Sequence, residues 1–226
     1  MKLWNDFLNL FYPPLCLLCQ NSLVEGEQHI CTHCLYSLPR YRMIDESRIF
    51  SLFLGKSEIL NLAVAFVFEK EGAVQRLIHD LKYYGNKELA AYLARLSFLD
   101  YLSGGESICN AEVLLPVPLH SKREKERGYN QSEWIAKGIS SVLHIPIDTT
   151  SLRRSVRTET QTKRKVFDRW RNMEDVFELV AEDNLRGKRI LLVDDVLTTG
   201  ATFNACARAL QTIPDITLSA FALSMV

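Results

Sequence analysis

Asp194 and Asp195 stand side by side after four apolar residues, Ile190 to Val193, and shortly before Leu197-Thr198-Thr199-Gly200-Ala201-Thr202. Two successive carboxylates suit the vicinal hydroxyls of a sugar or a hard cation. The Thr/Gly segment suits an anion. Gly200 lets the backbone approach a ligand closely, and Thr198, Thr199 and Thr202 add hydroxyl donors. A helix opening after Gly200 would turn unpaired amides and a positive dipole end toward a phosphate. The acids would repel a bare phosphate, whereas a sugar phosphate with free hydroxyls satisfies both halves of the motif.

A second set of residues is Cys16-Leu-Leu-Cys19 and Cys31-Thr-His-Cys34, with eleven residues between the pairs. Doubled two-residue gaps make two tight knuckles that aim four thiolates at one ion, the pattern of a structural tetrahedral zinc site. A redox pair would be a single motif at the start of a helix. His29 and His33 read as bystanders, and the isolated Cys109 and Cys206 as small buried apolar residues.

The third set is basic. Between Ser151 and Asn172, Arg153, Arg154, Arg157, Lys163, Arg164, Lys165, Arg169 and Arg171 face only Glu159 and Asp168, a local excess of six positive charges in a chain that as a whole carries 27 of each sign. Such a patch attracts anions. Phe167 and Trp170 within it offer flat faces for stacking on single-stranded DNA or for packing against the body.

Alternating elements must hold these groups in place. Leu62–Glu69 reads as a strand and Glu71-Gly72 as a turn. Residues 73–85 form a helix with Leu77, Ile78 and Leu81 on one face, followed by a second helix over 87–102. Residues 112–118 form a buried strand, 131–144 a helix and 145–153 a strand. Further strands cover 176–182, 187–195 and 216–226, with a helix over 201–213. Strands alternating with helices and apolar on both faces imply an α/β fold with a mainly parallel sheet. In such a sheet ligands gather beyond the carboxyl ends of strands, which is where the acids and the Thr/Gly segment are expected. At 226 residues and 47% hydrophobic composition, the chain can bury one sizeable core. Residues 1–45 are expected to form an N-terminal helix (Leu3, Trp4, Phe7, Leu8, Phe11) and a zinc module, and residues 46–226 the α/β domain. No run of about 18 apolar residues suggests a membrane span, and Asn5, Asp6 and Asn9 break up any signal-like stretch. The expected compartment is the cytoplasm, where thiols stay reduced.

ILLVDD also opens receiver domains, but only 31 residues follow Asp195 where such a domain needs roughly a hundred. The stretch closely resembles the phosphoribosyl pyrophosphate (PRPP) motif of type I phosphoribosyltransferases. Together with CLLC…CTHC, LIHDLKYYGNKELA, LLPVPLHSKREKERGYNQSE and LRRSVRTETQTKRKVFDRWRN, it resembles the ComF family of competence-associated proteins over nearly the whole chain. Tyr129 replaces the Phe of the family's RGFNQ pattern. The resemblance implies that Asp194 and Asp195 hold the ribose hydroxyls, directly or through Mg²⁺. Leu197, Thr198, Thr199, Gly200, Ala201 and Thr202 would cradle the 5′-phosphate. Lys122, Arg123 and Arg127 would meet the pyrophosphate, with Gly128 permitting the turn, and Arg153 and Arg154 would belong to a loop closing over PRPP. Thr158, Gln161, Arg169 and Asn172 match the family pattern in that loop. The implied reaction transfers phosphoribose to a nitrogen nucleophile. An alternative expectation is a non-catalytic competence factor that binds single-stranded DNA with the same fold. His79 and His120 are titratable but are expected at ordinary surface or core positions.

Overall fold

The computed structural model describes residues 12–41, 51–53, 58–155 and 176–226. The helix expected over residues 3–11, the 45/46 boundary and most of the basic segment, including Phe167 and Trp170, lie outside the described residues.

Four strands form one parallel sheet in the order β1–β6–β5–β2, where β1 is Ile59–Val67, β2 Val113–Pro116, β5 Arg189–Leu197 and β6 Thr217–Met225. Their apolar runs, such as Ile190 to Val193 and Ala220 to Leu223, are buried because helices or loops cover both faces. On one face pack α2 (Ala73–Tyr83), α3 (Lys87–Ser103) and α5 (Gln131–Leu143), burying Leu77, Leu81, Leu93, Phe98 and Ile139 against Leu191, Val193 and Phe221. Phe98 and Phe221 meet edge to face at 5.0 Å between ring centroids. On the other face α6 (Ala201–Leu210) and a two-stranded ribbon, β3 (Leu152–Arg154) with β4 (Phe177–Leu179), cover Leu192, Ala220 and Ala222.

The cysteine-bearing segment joins this body. Cys16, Ile30 and Leu38 share the buried cluster of α2, α3 and α5. A short helix, α1 (Thr32–Tyr36), carries the last cysteine. Beyond it the chain lies along the outer edge of β1, where the Tyr41 amide donates to Ala65 O and the Val67 amide to Pro39 O. The opposite edge is closed where Leu114 N donates to Pro146 O and Asp148 N to Leu114 O. Neither edge of the sheet offers an open ladder there.

Three expectations need correction. The strand expected over 145–153 is interrupted, because the Asp148 carboxylate takes hydrogen bonds from the amides of Thr150 and Ser151 and from both hydroxyls. A side chain that satisfies its own turn competes with a ladder. The strand after it, and the one expected over 176–182, form the separate ribbon rather than joining the main sheet. Residues 121–127, expected as a loop, form a helix, α4 (Ser121–Arg127), whose start is capped by His120 Nδ1 accepting from Lys122 N at 3.2 Å.

Helices α3 and α5 touch through Gly138. A Cβ there would overlap the Ala91 carbonyl, a backbone group that cannot swing aside. Gly138→Ala should therefore destabilise the fold by about 3 kcal/mol, lowering the melting temperature by about 8 °C. Differential scanning calorimetry checks this, and an unchanged melt would mean the two helices are not in such close contact.

Candidate functional site

The sheet carries the acid pair into place, although not at a strand tip. Strand β5 continues two residues beyond Asp195, paired with β6 through Val196↔Ser224 and Leu197↔Met225. Both acids are therefore held on a regular strand flanked by ordered neighbours. The Asp194 carboxylate accepts from its own successor, Asp195 N, at 2.9 Å, and from Ser132 Oγ at 3.0 Å. Ser132 lies in the first turn of α5, which Asn130 caps by accepting from Ser132 N. Burial and the adjacent Asp195 push the Asp194 carboxyl up to about 7, against the pull of those hydrogen bonds and of Lys82. The Asp195 carboxylate is 2.9 Å from Lys82 Nζ, near the end of α2.

After Leu197 the chain bends through Thr198 and Thr199, both exposed, and reaches Gly200 with φ of +74°. This left-handed position N-caps α6, so the first amides of that helix have no carbonyl within it to bond. Thr202 is exposed at its start. Gly200 is closed on its inner side by Phe53 and Leu52. A Cβ would come 3.1 Å from the Phe53 ring, and Asn204 Nδ2 donates to Leu52 O at 3.3 Å. Leu52 and Phe53, both helical, thus support the loop from behind.

The expected cations divide into groups. Arg154 is half-buried, its guanidinium 5.5 Å from the Phe177 ring centroid. Burial and Arg123 lower its pKa, while Cys206 and Asp194 act to raise it, so Arg154 feels the charges of both α4 and the acid pair. Arg153 instead pairs with Glu178 across the ribbon at 2.8 Å, with both side chains exposed. Lys122 and Arg123 are exposed on α4. Arg127, at the end of that helix, donates to Gln131 Oε1 at 2.9 Å and sits 5.8 Å from the Tyr83 ring centroid. Gly128 follows with φ of +78°. Tyr129 uses the hydroxyl that distinguishes it from Phe, donating to Leu81 O. A cleft of about 370 Å³ beside Arg154 is bordered by Pro118, Glu124, Asn130 and Glu133. Gln131 is 2% exposed, and its Nε2 has no hydrogen-bond partner among the described residues. Such an orphan costs about 1–3 kcal/mol.

Away from this site, ligand atoms of Cys16, Cys19, Cys31 and Cys34 all lie within 4.8 Å of one another. The Cys19 and Cys31 sulfurs are 3.7 Å apart, close to the edge of about 3.8 Å that a tetrahedron of 2.3 Å Zn–S bonds requires. Burial opposes the Cys16 thiolate, but amide donors from Cys19, Cys31 and Leu18 bring its pKa down to about 6, while burial and the other three sulfurs drive Cys34 upward. Four thiolates at these spacings call for a cation, and the cluster could hold a metal such as zinc.

Two residue sets at the site were not singled out from sequence. Lys82 carries a signal that could have found it. Val74, Ile78 and Lys82 are four apart, so helical spacing puts this charge on the same face as Val74 and Ile78, both buried. The Leu52–Phe53 support carries no such signal, because nothing around Leu52 in sequence marks a neighbour about 150 residues away.

Residues 129–213 match the family described as the phosphoribosyl transferase domain. The chain is 30% identical over 216 residues to the DNA utilization protein YhgH of Escherichia coli O157:H7, covering 89% of this chain and 92% of that protein. It is also 30% identical over 199 residues to competence protein F of Haemophilus influenzae, covering 88% and 79%. The chain belongs to the ComF family. Among solved structures, a purine phosphoribosyltransferase from Pyrococcus horikoshii overlaps with 59% of this chain and 80% of that one, at 13% identity and a TM-score of 0.38. For this ComF protein the match to the phosphoribosyl transferase domain spans the Gln131 amide, Asp194, Asp195 and the Gly200 turn. No helix among the described residues is long and apolar enough to cross a membrane.

Proposed function

We propose that this ComF protein binds PRPP with Mg²⁺ at the acid pair and transfers its phosphoribosyl group to a nitrogen nucleophile, releasing pyrophosphate. The observation that carries the proposal is the immediate succession of Asp194, Asp195 and an exposed Thr/Gly turn that opens a helix. One short segment thus supplies acceptors for hydroxyls and donors for a phosphate. Leu197, Thr198, Thr199, Gly200, Ala201 and Thr202 would take the 5′-phosphate. Arg154 and Arg123, which repel each other across the gap, would be drawn together by the pyrophosphate. Lys122, Arg127 and Gly128 would complete that side, and Arg153 would join on leaving Glu178.

Hard carboxylate oxygens suit Mg²⁺, and Asp194 and Asp195 would hold it. When bound, the cation would neutralise charge on the departing pyrophosphate. The chain's own residues would do the remaining work. As the C1–O bond to pyrophosphate breaks and the C1–N bond forms, positive charge develops on the ribose ring. The Asp194 and Asp195 carboxylates lie on the hydroxyl side, where they favour that charge, and the arginines stabilise the leaving group. The acceptor nitrogen gives its proton to solvent. No nucleophilic side chain is required.

The cysteine cluster would hold zinc as a closed structural site, the first 45 residues would form its module, and the protein would work in the cytoplasm, where its six thiols stay reduced. The names of the two relatives, DNA utilization and competence, support a second reading in which the fold serves competence machinery by binding single-stranded DNA through the basic segment between Ser151 and Asn172. That binding would fall steeply with salt and survive loss of the acids.

Isothermal calorimetry with PRPP and Mg²⁺, followed by a screen of free bases for pyrophosphate release, tests the proposal. Saturable heat is expected at micromolar to millimolar PRPP. Absence of both heat and thermal shift at millimolar ligand would rule the transferase out, and salt-sensitive DNA binding in its place would establish the second reading.

A further inference from the structure

Lys82 is paired with Asp195 in surroundings unlike those of any other ion pair among the described residues. Its side chain is 22% exposed and that of Asp195 15%, whereas both partners of the other four pairs are 36% exposed or more. The ammonium therefore sits on the carboxylate that the proposed function gives to a cation and sugar hydroxyls. We propose that Lys82 is a displaceable internal counter-ion: it holds Asp195 in the ligand-free protein and yields it to a divalent cation. This rests on the reading that the acid pair takes a cation-bound sugar phosphate.

The surrounding geometry makes the lysine, rather than its helix, the part that moves. The last turn of α2 is tied down on both sides of Lys82. Leu81 O accepts from the Tyr129 hydroxyl, and Arg127 lies against the Tyr83 ring. Both contacts come from residues flanking Gly128, on the basic segment assigned to the pyrophosphate. A four-carbon stem with freely rotating donors can swing where an anchored helix cannot. Lysine near a helix C-terminus also interacts favourably with the dipole there, so an ammonium that leaves Asp195 keeps one favourable field. Ammonium and divalent cation cannot both sit on Asp195, because like charges at that spacing repel strongly away from bulk water. Binding of the cation thus exchanges one positive charge for another and avoids leaving the two neighbouring carboxylates unpaired before the ligand arrives.

Mn²⁺ is a suitable probe, since the free ion is counted directly by electron paramagnetic resonance and prefers oxygen ligands to thiolates. The full zinc-loaded chain is titrated without PRPP. Lys82→Met and Lys82→Gln are expected to bind Mn²⁺ about tenfold more tightly than the unaltered protein. Lys82→Arg, whose planar fork grips a carboxylate through two bonds, is expected to bind it about threefold more weakly. Adding Asp195→Asn to Lys82→Met should abolish the gain. A salt bridge that only holds α2 to the sheet would lower the melting temperature in the neutral variants and leave Mn²⁺ affinity where it was. Equal or weaker Mn²⁺ binding in Lys82→Met and Lys82→Gln overturns the proposal. If those variants do not fold, Lys82→Arg decides alone: affinity equal to or above that of the unaltered protein overturns it. PRPP calorimetry stays independent. Tighter Mn²⁺ binding in Lys82→Met without any PRPP heat supports the counter-ion and removes the transferase, and PRPP heat with unmoved Mn²⁺ affinity does the reverse.

Discussion

Cys16→Ser should lower the melting temperature by more than about 10 °C and abolish zinc binding at the cysteine cluster. Cys16 is fully buried, within the cluster that Ile30 and Leu38 share with α2 and α3. Its sulfur also accepts from Cys31 N at 3.3 Å, so it joins the two knuckles as well as serving as a candidate ligand. Serine there loses a metal bond and places a hydroxyl among apolar side chains, and the three remaining thiolates lose their cation. Binding free energy at a structural zinc site is folding free energy, on the order of 10 kcal/mol in small zinc modules. Here the larger core keeps the rest of the chain folded, so local loss of the 12–41 segment is expected before global unfolding. Metal content measured with a thiol-displacing reagent should fall from one equivalent to none. Cys109→Ser, at a half-buried site away from the cluster, should change neither quantity. A Cys16→Ser protein that kept its metal and its melt would show that the cluster is not a metal site.

The cysteine cluster was legible because ligand spacing is a local property. Two residues between cysteines fix a knuckle whatever surrounds it, and the structure brings all four sulfurs together. The parallel sheet was legible for a similar reason, since runs such as Ile190 to Val193 have no polar face to turn to water. What the pattern did not contain was the partner of each charge. Nothing near Asp195 in sequence points to Lys82, 113 positions earlier. Their meeting depends on how α2 packs on the face of the sheet. The same limit applied to the two adjacent arginines. Arg153 and Arg154 looked equivalent in sequence, but the alternation of a strand sends one to Glu178 and the other, half-buried, over the Phe177 ring. The expected end of β5 at the acids failed because charged residues usually terminate a buried strand. Here Asp194 satisfies itself through Asp195 N and Ser132, and the ladder with β6 continues.

These local satisfactions bear on how the proposed site would work. A carboxylate that already accepts two hydrogen bonds is oriented before a ligand comes, which reduces the reorganisation needed at binding. Its partners come from separate elements, α5 through Ser132 and β5 itself, and Asn130 holds the first of these by donating to Val117 O at 3.0 Å while capping α5. The segment after β2 and the acid pair on β5 are thereby held in one rigid unit, while the phosphate turn leans on Leu52 and Phe53.

Asp194→Asn should separate stability from binding, raising the first above neutral pH and abolishing the second. Asparagine keeps an oxygen to accept from Asp195 N and Ser132 Oγ but carries no charge. Burial and Asp195 raise the Asp194 carboxyl to about 7 in the folded chain, against about 3.9 when unfolded. Between those values the native state retains a proton that the unfolded state has released, so native stability falls as pH rises through the window and levels off above it. The variant escapes this loss. Measured without added magnesium, its melting temperature should exceed that of the unaltered protein by about 4 °C at pH 8, with the gap narrowing as the pH is lowered below 7. PRPP affinity should meanwhile drop at least about a hundredfold, about 2.7 kcal/mol, because a neutral amide neither attracts a cation nor favours positive charge on the ribose ring. Stability gained where function is lost is the signature of a site strained for its ligand. A variant that binds PRPP normally would remove Asp194 from the site, and one that melts below the unaltered protein at pH 8 would show that its charge is compensated in the fold.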